Sequence, residues 1–82
     1  MGMEFWSDER KLVYYPVNSD ELITVDFDEF VDLMNKNKYT SKSEICNLFG
    51  VDEYEGLGLI ENLIEYDFIT PSEIDNNYLL KF

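Results

Sequence analysis

The segment SKSEICNLFGVDEYEGLGLIENLIE, residues 41–65, decides the fold because it encodes two helices and the turn between them. Each helix begins with a capping box, in which a short polar side chain is followed three positions later by a glutamate. The first box pairs Ser41 with Glu44, and the second pairs Asp52 with Glu55. Both patterns satisfy amide groups that a helix leaves open at its first turn, so they predict where the two helices begin.

Gly50 stands between these helices, where a glycine supplies the left-handed conformation that ends a helix. Apolar residues recur at helical spacing on both sides of it and predict the faces that enter the core. The expected buried residues are Ile45, Leu48 and Phe49 in one helix, and Leu57, Ile60, Leu63 and Ile64 in the other.

The rest of the chain predicts one further helix and two groups of strands. Asp26 and Glu29 form a third capping box, so a helix is expected to precede the two just described. Short apolar runs around polar turns indicate strands at both ends of the chain. The expectation is a single α+β domain over residues 1–82, with N-terminal strands at 4–25 that include a β-hairpin, three helices at 26–67 and a C-terminal hairpin at 68–82.

This order of elements, with the Phe49-Gly50-Val51 turn between two short helices, resembles the winged helix-turn-helix superfamily. The resemblance covers residues 24–82. It implies a three-helix core in which Val51 points inward and the C-terminal hairpin forms the wing. In DNA-binding members of this superfamily the third helix enters the major groove and the wing touches phosphate.

The charge of the chain does not suit that role. Eighteen acidic residues face six basic ones, for a formal net charge of −12, and from residue 43 to residue 80 there are nine acids and no lysine or arginine. Nucleic-acid binding depends on cations that neutralise phosphates, so this chain is expected to repel nucleic acid and anionic membrane and to attract basic proteins.

Two groups of residues are candidates for contact with a protein partner. Acids on the third helix and in the wing form the first, and the alternative for them is an ordinary solvated face. Tyrosine and tryptophan in the N-terminal strands form the second, because such side chains anchor many protein interfaces. The candidate partner-binding residues are Glu53, Glu55, Glu61, Glu65, Glu73, Asp75, Trp6 and Tyr15.

Catalytic, metal and cofactor sites are not expected. The chain has no histidine and only one cysteine, Cys46, so the usual catalytic triads and zinc sites are excluded. A single cysteine cannot form an internal disulfide, which favours the reducing cytoplasm as its location.

The sequence therefore predicts a non-enzymatic protein-binding domain, an inhibitor or adaptor that mimics nucleic acid. A phage origin is expected by analogy alone, from the small size, the acidity and the frequent Asn, Lys, Ile and Tyr. The domain would dock on a basic nucleic-acid-binding protein such as a CRISPR effector, a restriction enzyme or a polymerase. One alternative is a winged-helix transcription regulator that binds DNA as a dimer through Lys36, Lys38 and Lys42. Another is an assembly subunit that buries its aromatic hairpin in a homodimer.

Overall fold

A computed structural model describes residues 2–17, 20–36, 39–74 and 76–81. The protein is α+β, as the sequence predicts, and these segments form three helices and two small antiparallel sheets. The elements in chain order are β1 (Met3–Trp6), β2 (Lys11–Tyr14), β3 (Ile23–Asp26), α1 (Phe27–Lys36), β4 (Thr40–Ser41), α2 (Lys42–Phe49), α3 (Glu53–Glu65), β5 (Ile69–Pro71) and β6 (Asn77–Leu80).

The N-terminal sheet has the strand order β1-β2-β3, so the predicted hairpin gains a third strand. Successive side chains of a strand point to opposite faces. Leu12 and Tyr14 therefore share the face of β2 that enters the core. Tyr14 is fully buried, whereas its neighbour Tyr15, just beyond the strand, is partly exposed.

The C-terminal sheet has the order β4-β6-β5. Its β5–β6 hairpin was predicted, but β4 was not, because two residues carry no periodic signal. Thr40 of β4 lies opposite Tyr78, and Ser41 lies opposite Asn77. This pairing ties the segment between α1 and α2 to the hairpin at the other end of the chain.

The helix boundaries follow the predicted capping residues. Ser41 Oγ accepts a hydrogen bond from the Glu44 amide at 3.2 Å, and Asp52 Oδ1 accepts one from the Glu55 amide at 2.8 Å. Gly50 has φ of 69° and ψ of 33°, the left-handed conformation that ends α2. At the start of α1, Asp26 Oδ1 accepts a hydrogen bond from the amide two residues later, at 2.8 Å.

A single core cluster receives side chains from both sheets and from all three helices. Val51, in the turn after α2, packs against this core from its margin. The buried members are Met3, Leu12, Tyr14 and Val25 from the N-terminal sheet, Phe30 and Met34 from α1, Ile45 and Phe49 from α2, Leu59, Ile60 and Leu63 from α3, and Ile69 from β5.

One part of the predicted α3 core face is wrong. Leu57 is 55% exposed, and Leu59 is buried in its place. The helix is turned because α2 approaches it at Gly56, where a methyl group would overlap Cys46 Sγ. That close approach brings the side of α3 with Gly56, Leu59 and Leu63 into the core and leaves Leu57 outside.

The packing of Gly56 against Cys46 predicts a non-additive pair of substitutions. Alanine at a helical glycine gains about 1 kcal/mol from helix propensity, but overpacking a core costs about 1–3 kcal/mol. Gly56→Ala is therefore expected to destabilise the native protein by up to about 2 kcal/mol. In a Cys46→Ala background, which removes the sulfur, the same change is expected to be neutral or stabilising.

Urea unfolding of the four proteins in this double-mutant cycle measures the coupling. Gly58→Ala is the matched control, because Gly58 approaches Tyr14 and not Cys46. Its effect should be the same in both backgrounds. Additive effects of Gly56→Ala and Cys46→Ala would contradict the account of how α2 and α3 pack.

Candidate functional site

The outward side of α3 carries a continuous line of exposed side chains. Glu53, Leu57, Glu61 and Glu65 follow one another at intervals of four residues, which places them on one face of the helix. Tyr54 lies beside this line and is 73% exposed. We call these five residues the α3 ridge. It spans about 18 Å along the helix axis at 1.5 Å per residue.

The ridge acids have no cation near them in sequence, and the two ion pairs of the described residues lie outside the ridge. Arg10 pairs with Asp28 at 2.7 Å, and Lys81 pairs with Asp67 at 2.8 Å. The Arg10 hydrogen bond lowers the pKa of Asp28. Within the described parts of the chain, none of the three ridge glutamates forms an ion pair.

Glu55, which was expected on the same acidic face, is instead buried and only 9% exposed. Its Oε2 atom accepts a hydrogen bond from the Tyr14 hydroxyl at 2.7 Å and another from the Val17 amide at 3.1 Å. The side chain therefore turns away from solvent and toward β2 and the residues that follow it. Placing Glu55 on the exposed acidic face was wrong, because the Tyr14 hydroxyl and the Val17 amide compensate its carboxylate for the loss of water.

The hydrogen bond between Tyr14 and Glu55 joins the N-terminal sheet to α3. Burial, and then the hydrogen bond to Glu55, raise the pKa of Tyr14. The same hydroxyl lies close to Gly58, where an added methyl carbon would stand 3.3 Å from the tyrosine oxygen. Gly58 thus leaves room for the ring of Tyr14 against the helix.

The sequence contained a signal for this contact. Gly56 and Gly58 interrupt a helix at a cost of about 1 kcal/mol each relative to alanine, which indicates close approach by other elements. Cys46 approaches α3 at Gly56, and the Tyr14 hydroxyl approaches it at Gly58. The glycines did not reveal that Glu55 was the acid facing those elements, because its capping-box position is equally compatible with an exposed side chain.

The two aromatic candidates lie on the N-terminal sheet and share one acid. Glu4 Oε2 accepts hydrogen bonds from Trp6 Nε1 at 2.9 Å and from the Tyr15 hydroxyl at 2.8 Å. These bonds, that from Trp6 foremost, lower the pKa of Glu4, and the bond to Glu4 raises the pKa of Tyr15. Trp6 and Tyr15 are thus held in position, on a different element from the α3 ridge.

The remaining acidic candidates, Glu73 and Asp75, belong to the C-terminal hairpin. Glu73 is exposed in the loop between β5 and β6, next to Ile74, which is also exposed. Ser72 organises this loop, because its hydroxyl both donates to the Ile74 carbonyl and accepts from the Ile74 amide. Asp75 lies outside the described residues.

The two described lysines of the DNA-binding alternative differ in burial and lie on different helices. Lys36 is exposed in the last turn of α1, whereas Lys42 is half-buried at the first position of α2. Lys38 lies outside the described residues. Neither described lysine belongs to α3, the helix that carries the acidic ridge.

No site for a metal or a reactive thiol emerges from the described residues. They contain no group of three or more His, Cys, Asp or Glu side chains that could hold a metal ion. Cys46 is a free thiol buried between α2 and α3, and burial raises its pKa, which disfavours the reactive thiolate. Among the helices of the described segments, none is long and apolar enough to cross a bilayer.

Comparison with known protein families, with curated proteins and with solved structures returned no match for this chain.

The buried hydrogen bond predicts unequal effects of removing two neighbouring tyrosine hydroxyls. Tyr14→Phe deprives the buried Glu55 of one donor, and hydrogen bonds to charged groups contribute about 1.5–3 kcal/mol. Tyr15→Phe, the matched control, removes a partly exposed bond and should change stability by less than about 0.5 kcal/mol. Urea unfolding at pH 7 measures both; equal losses would show that Glu55 does not depend on Tyr14.

The raised pKa of Tyr14 also predicts a loss of stability at alkaline pH. The unfolded chain releases its tyrosine protons near pH 10, while folded Tyr14 keeps its proton to higher pH. Its contribution is therefore complete below pH 10 and lost as the pH rises through the folded pKa. The Tyr14→Phe protein should lose less stability than wild type between pH 9 and pH 11, and an identical loss in urea titrations would contradict this.

Proposed function

We propose that this chain is a non-enzymatic protein-binding domain that docks its α3 ridge on a basic nucleic-acid-binding protein. The observation that carries the proposal is the composition of the ridge: three exposed carboxylates, an exposed leucine and an exposed tyrosine on one helix face. Such a surface is complementary to a partner that offers both cations and apolar contact area.

The uniform negative charge of the ridge supports the proposal that it binds a partner. Surface helices ordinarily mix acidic and basic residues, because like charges four residues apart are mutually destabilising. Glu61 and Glu65 stand at that spacing, with no base in the chain from residue 43 to residue 80. A binding partner with basic residues would relieve this repulsion.

The exposed apolar side chains favour a protein partner over a purely ionic ligand. Three charges along about 18 Å of helix are far fewer than duplex DNA carries over the same length. Charge alone would therefore give weak, easily screened binding. Leu57 and Tyr54 supply apolar and aromatic contact area of the kind that adds affinity at protein interfaces.

A winged-helix-like ancestry is part of the proposal. The order of helix, short strand, two helices and hairpin, with β4 paired to the hairpin, is compatible with that resemblance. In this interpretation, the helix that DNA-binding relatives insert into the groove carries acids here. The domain would then act in the cytoplasm as an inhibitor or adaptor that imitates nucleic acid and occupies a nucleic-acid-binding channel, for example that of a CRISPR effector, a restriction enzyme or a polymerase.

Competition against labelled duplex tests this proposal. In fluorescence anisotropy, the wild-type domain should displace duplex from a basic target of these classes, and displacement should weaken as salt rises. The combined change Glu53→Lys, Glu61→Lys and Glu65→Lys should raise the inhibitory concentration about tenfold or more, because attraction at three positions becomes repulsion.

The matched control is Glu9→Lys, Glu29→Lys and Asp32→Lys, which alters net charge equally at exposed positions outside α3. It includes a first-turn glutamate of α1, as the ridge variant includes Glu53 of α3. Circular dichroism verifies that both variants fold. Equal weakening by the two variants contradicts docking through the ridge, and retardation of duplex by the domain itself at low salt would favour the DNA-binding alternative.

A further inference from the structure

A groove of about 370 Å³ lies between the segment that joins β2 to β3 and the turn that joins α2 to α3. This volume falls within the range of pockets that accept a small molecule or a single side chain. The groove is lined by Pro16, Glu21, Leu22, Ile23, Gly50, Val51, Asp52 and Glu55.

The lining combines apolar walls with carboxylates. Four of the eight residues offer hydrocarbon surface: Pro16, Leu22, Ile23 and Val51. Gly50 leaves its side of the groove open, because nothing lies within 4 Å of the position that its missing side chain would occupy. Such a site suits a side chain with a long apolar stem and a polar head.

The polar part of the lining is entirely acidic. Glu55 is fixed in place by the Tyr14 hydroxyl and the Val17 amide, and Asp52 is fixed by its cap bond to the Glu55 amide. Glu21 lies on the opposite side, on the segment before β3. Two of the three carboxylates are thus preorganised, so a bound cation need not order them.

The N-terminus of α3 opposes the binding of a cation in this groove only weakly. A helix N-terminus carries about half a positive charge, which would favour an anion. Three formally negative carboxylates outweigh it, so the local field favours a cation. The groove lies at the N-terminal end of α3, the helix that carries the ridge.

We propose that this groove accepts an arginine side chain of the basic partner, an inference that rests on the proposed function. The aliphatic stem would lie along the apolar walls, and the guanidinium would meet the carboxylates. Arginine fits better than lysine, because its planar guanidinium is less strongly hydrated and bonds carboxylates through two parallel donors. A partner lying along the α3 ridge would place this side chain at the N-terminal end of the helix.

Nuclear magnetic resonance with a small probe tests the groove directly. N-acetyl-arginine amide, added to the ¹⁵N-labelled domain, should shift the amide signals of Ile23, Gly50, Val51 and Asp52. N-acetyl-citrulline amide has nearly the same shape without the charge, and it should shift them at least fivefold less at the same concentration. Equal shifts with the two probes, or arginine shifts confined to other parts of the domain, would overturn the proposal.

A conservative variant separates groove binding from general attraction to an acidic protein. Glu21→Gln with Asp52→Asn removes two charges and keeps the cap, since asparagine caps helices about as well as aspartate. It should weaken arginine binding about fivefold. Glu29→Gln with Asp32→Asn removes the same charge from α1 and should change it less than twofold; equal weakening by the two variants would overturn the assignment of the site.

A variant of the ridge separates failure of the arginine site from failure of the proposed function. Glu61→Lys with Glu65→Lys alters the ridge at positions that begin about 1.7 turns beyond Glu55, the last groove residue in α3. It should impair competition with duplex while the arginine probe still shifts the groove amides. An absent groove response alongside ridge-dependent competition overturns the arginine site alone, whereas competition that survives every change in the ridge overturns the proposed function.

Discussion

The hydrogen bond from the Tyr14 hydroxyl to Glu55 fixes how the N-terminal sheet and α3 are oriented relative to each other. It joins residues 41 positions apart and lies in the interior, where an unmet polar group is costly. Because this contact holds one side of α3 against the sheet and Gly56 holds an adjacent side against α2, the remaining side must face solvent. The α3 ridge is exposed as a consequence of those two contacts.

Local structure could largely be predicted from the sequence. The N-caps Ser41 and Asp52 and the left-handed Gly50 lie where their chemistry placed them, since each acts on backbone groups within a few residues. Tyr14 is buried and its neighbour Tyr15 is partly exposed, as the alternation of side chains along a strand predicts. These features depend on short-range geometry, which the order of residues records.

Features that depend on contacts between distant segments could not be predicted. Leu57 satisfies the same helical spacing as Leu59, and only the approach of Cys46 at Gly56 decides which of them is buried. In the sequence, Glu55 is indistinguishable from a surface acid. Its burial depends on the hydrogen bond from Tyr14 of β2, which lies 41 positions away. Strand β4 exists because β6 pairs with it. For the candidate site, the sequence predicted which helix carries the acids. It did not predict which of those acids are exposed and which is buried.

The acidity of the chain thus separates into groups with different roles. Asp52 caps a helix, Asp28 pairs with Arg10, and Glu55 supports the interior. The ridge glutamates have no such role within the described residues, although their mutual repulsion tends to destabilise the helix. The proposal concerns the ridge because its glutamates share one helix face with an exposed leucine and lie beside an exposed tyrosine.

A charge swap across the interface tests this account most directly. Once a target protein is identified, Glu61→Lys should weaken binding to it. A Lys→Glu or Arg→Glu change at the facing residue of the target should then restore binding. The account predicts a favourable coupling of at least about 1 kcal/mol for one such pair. Strictly additive losses with every basic residue in the channel of the target would contradict docking through the ridge.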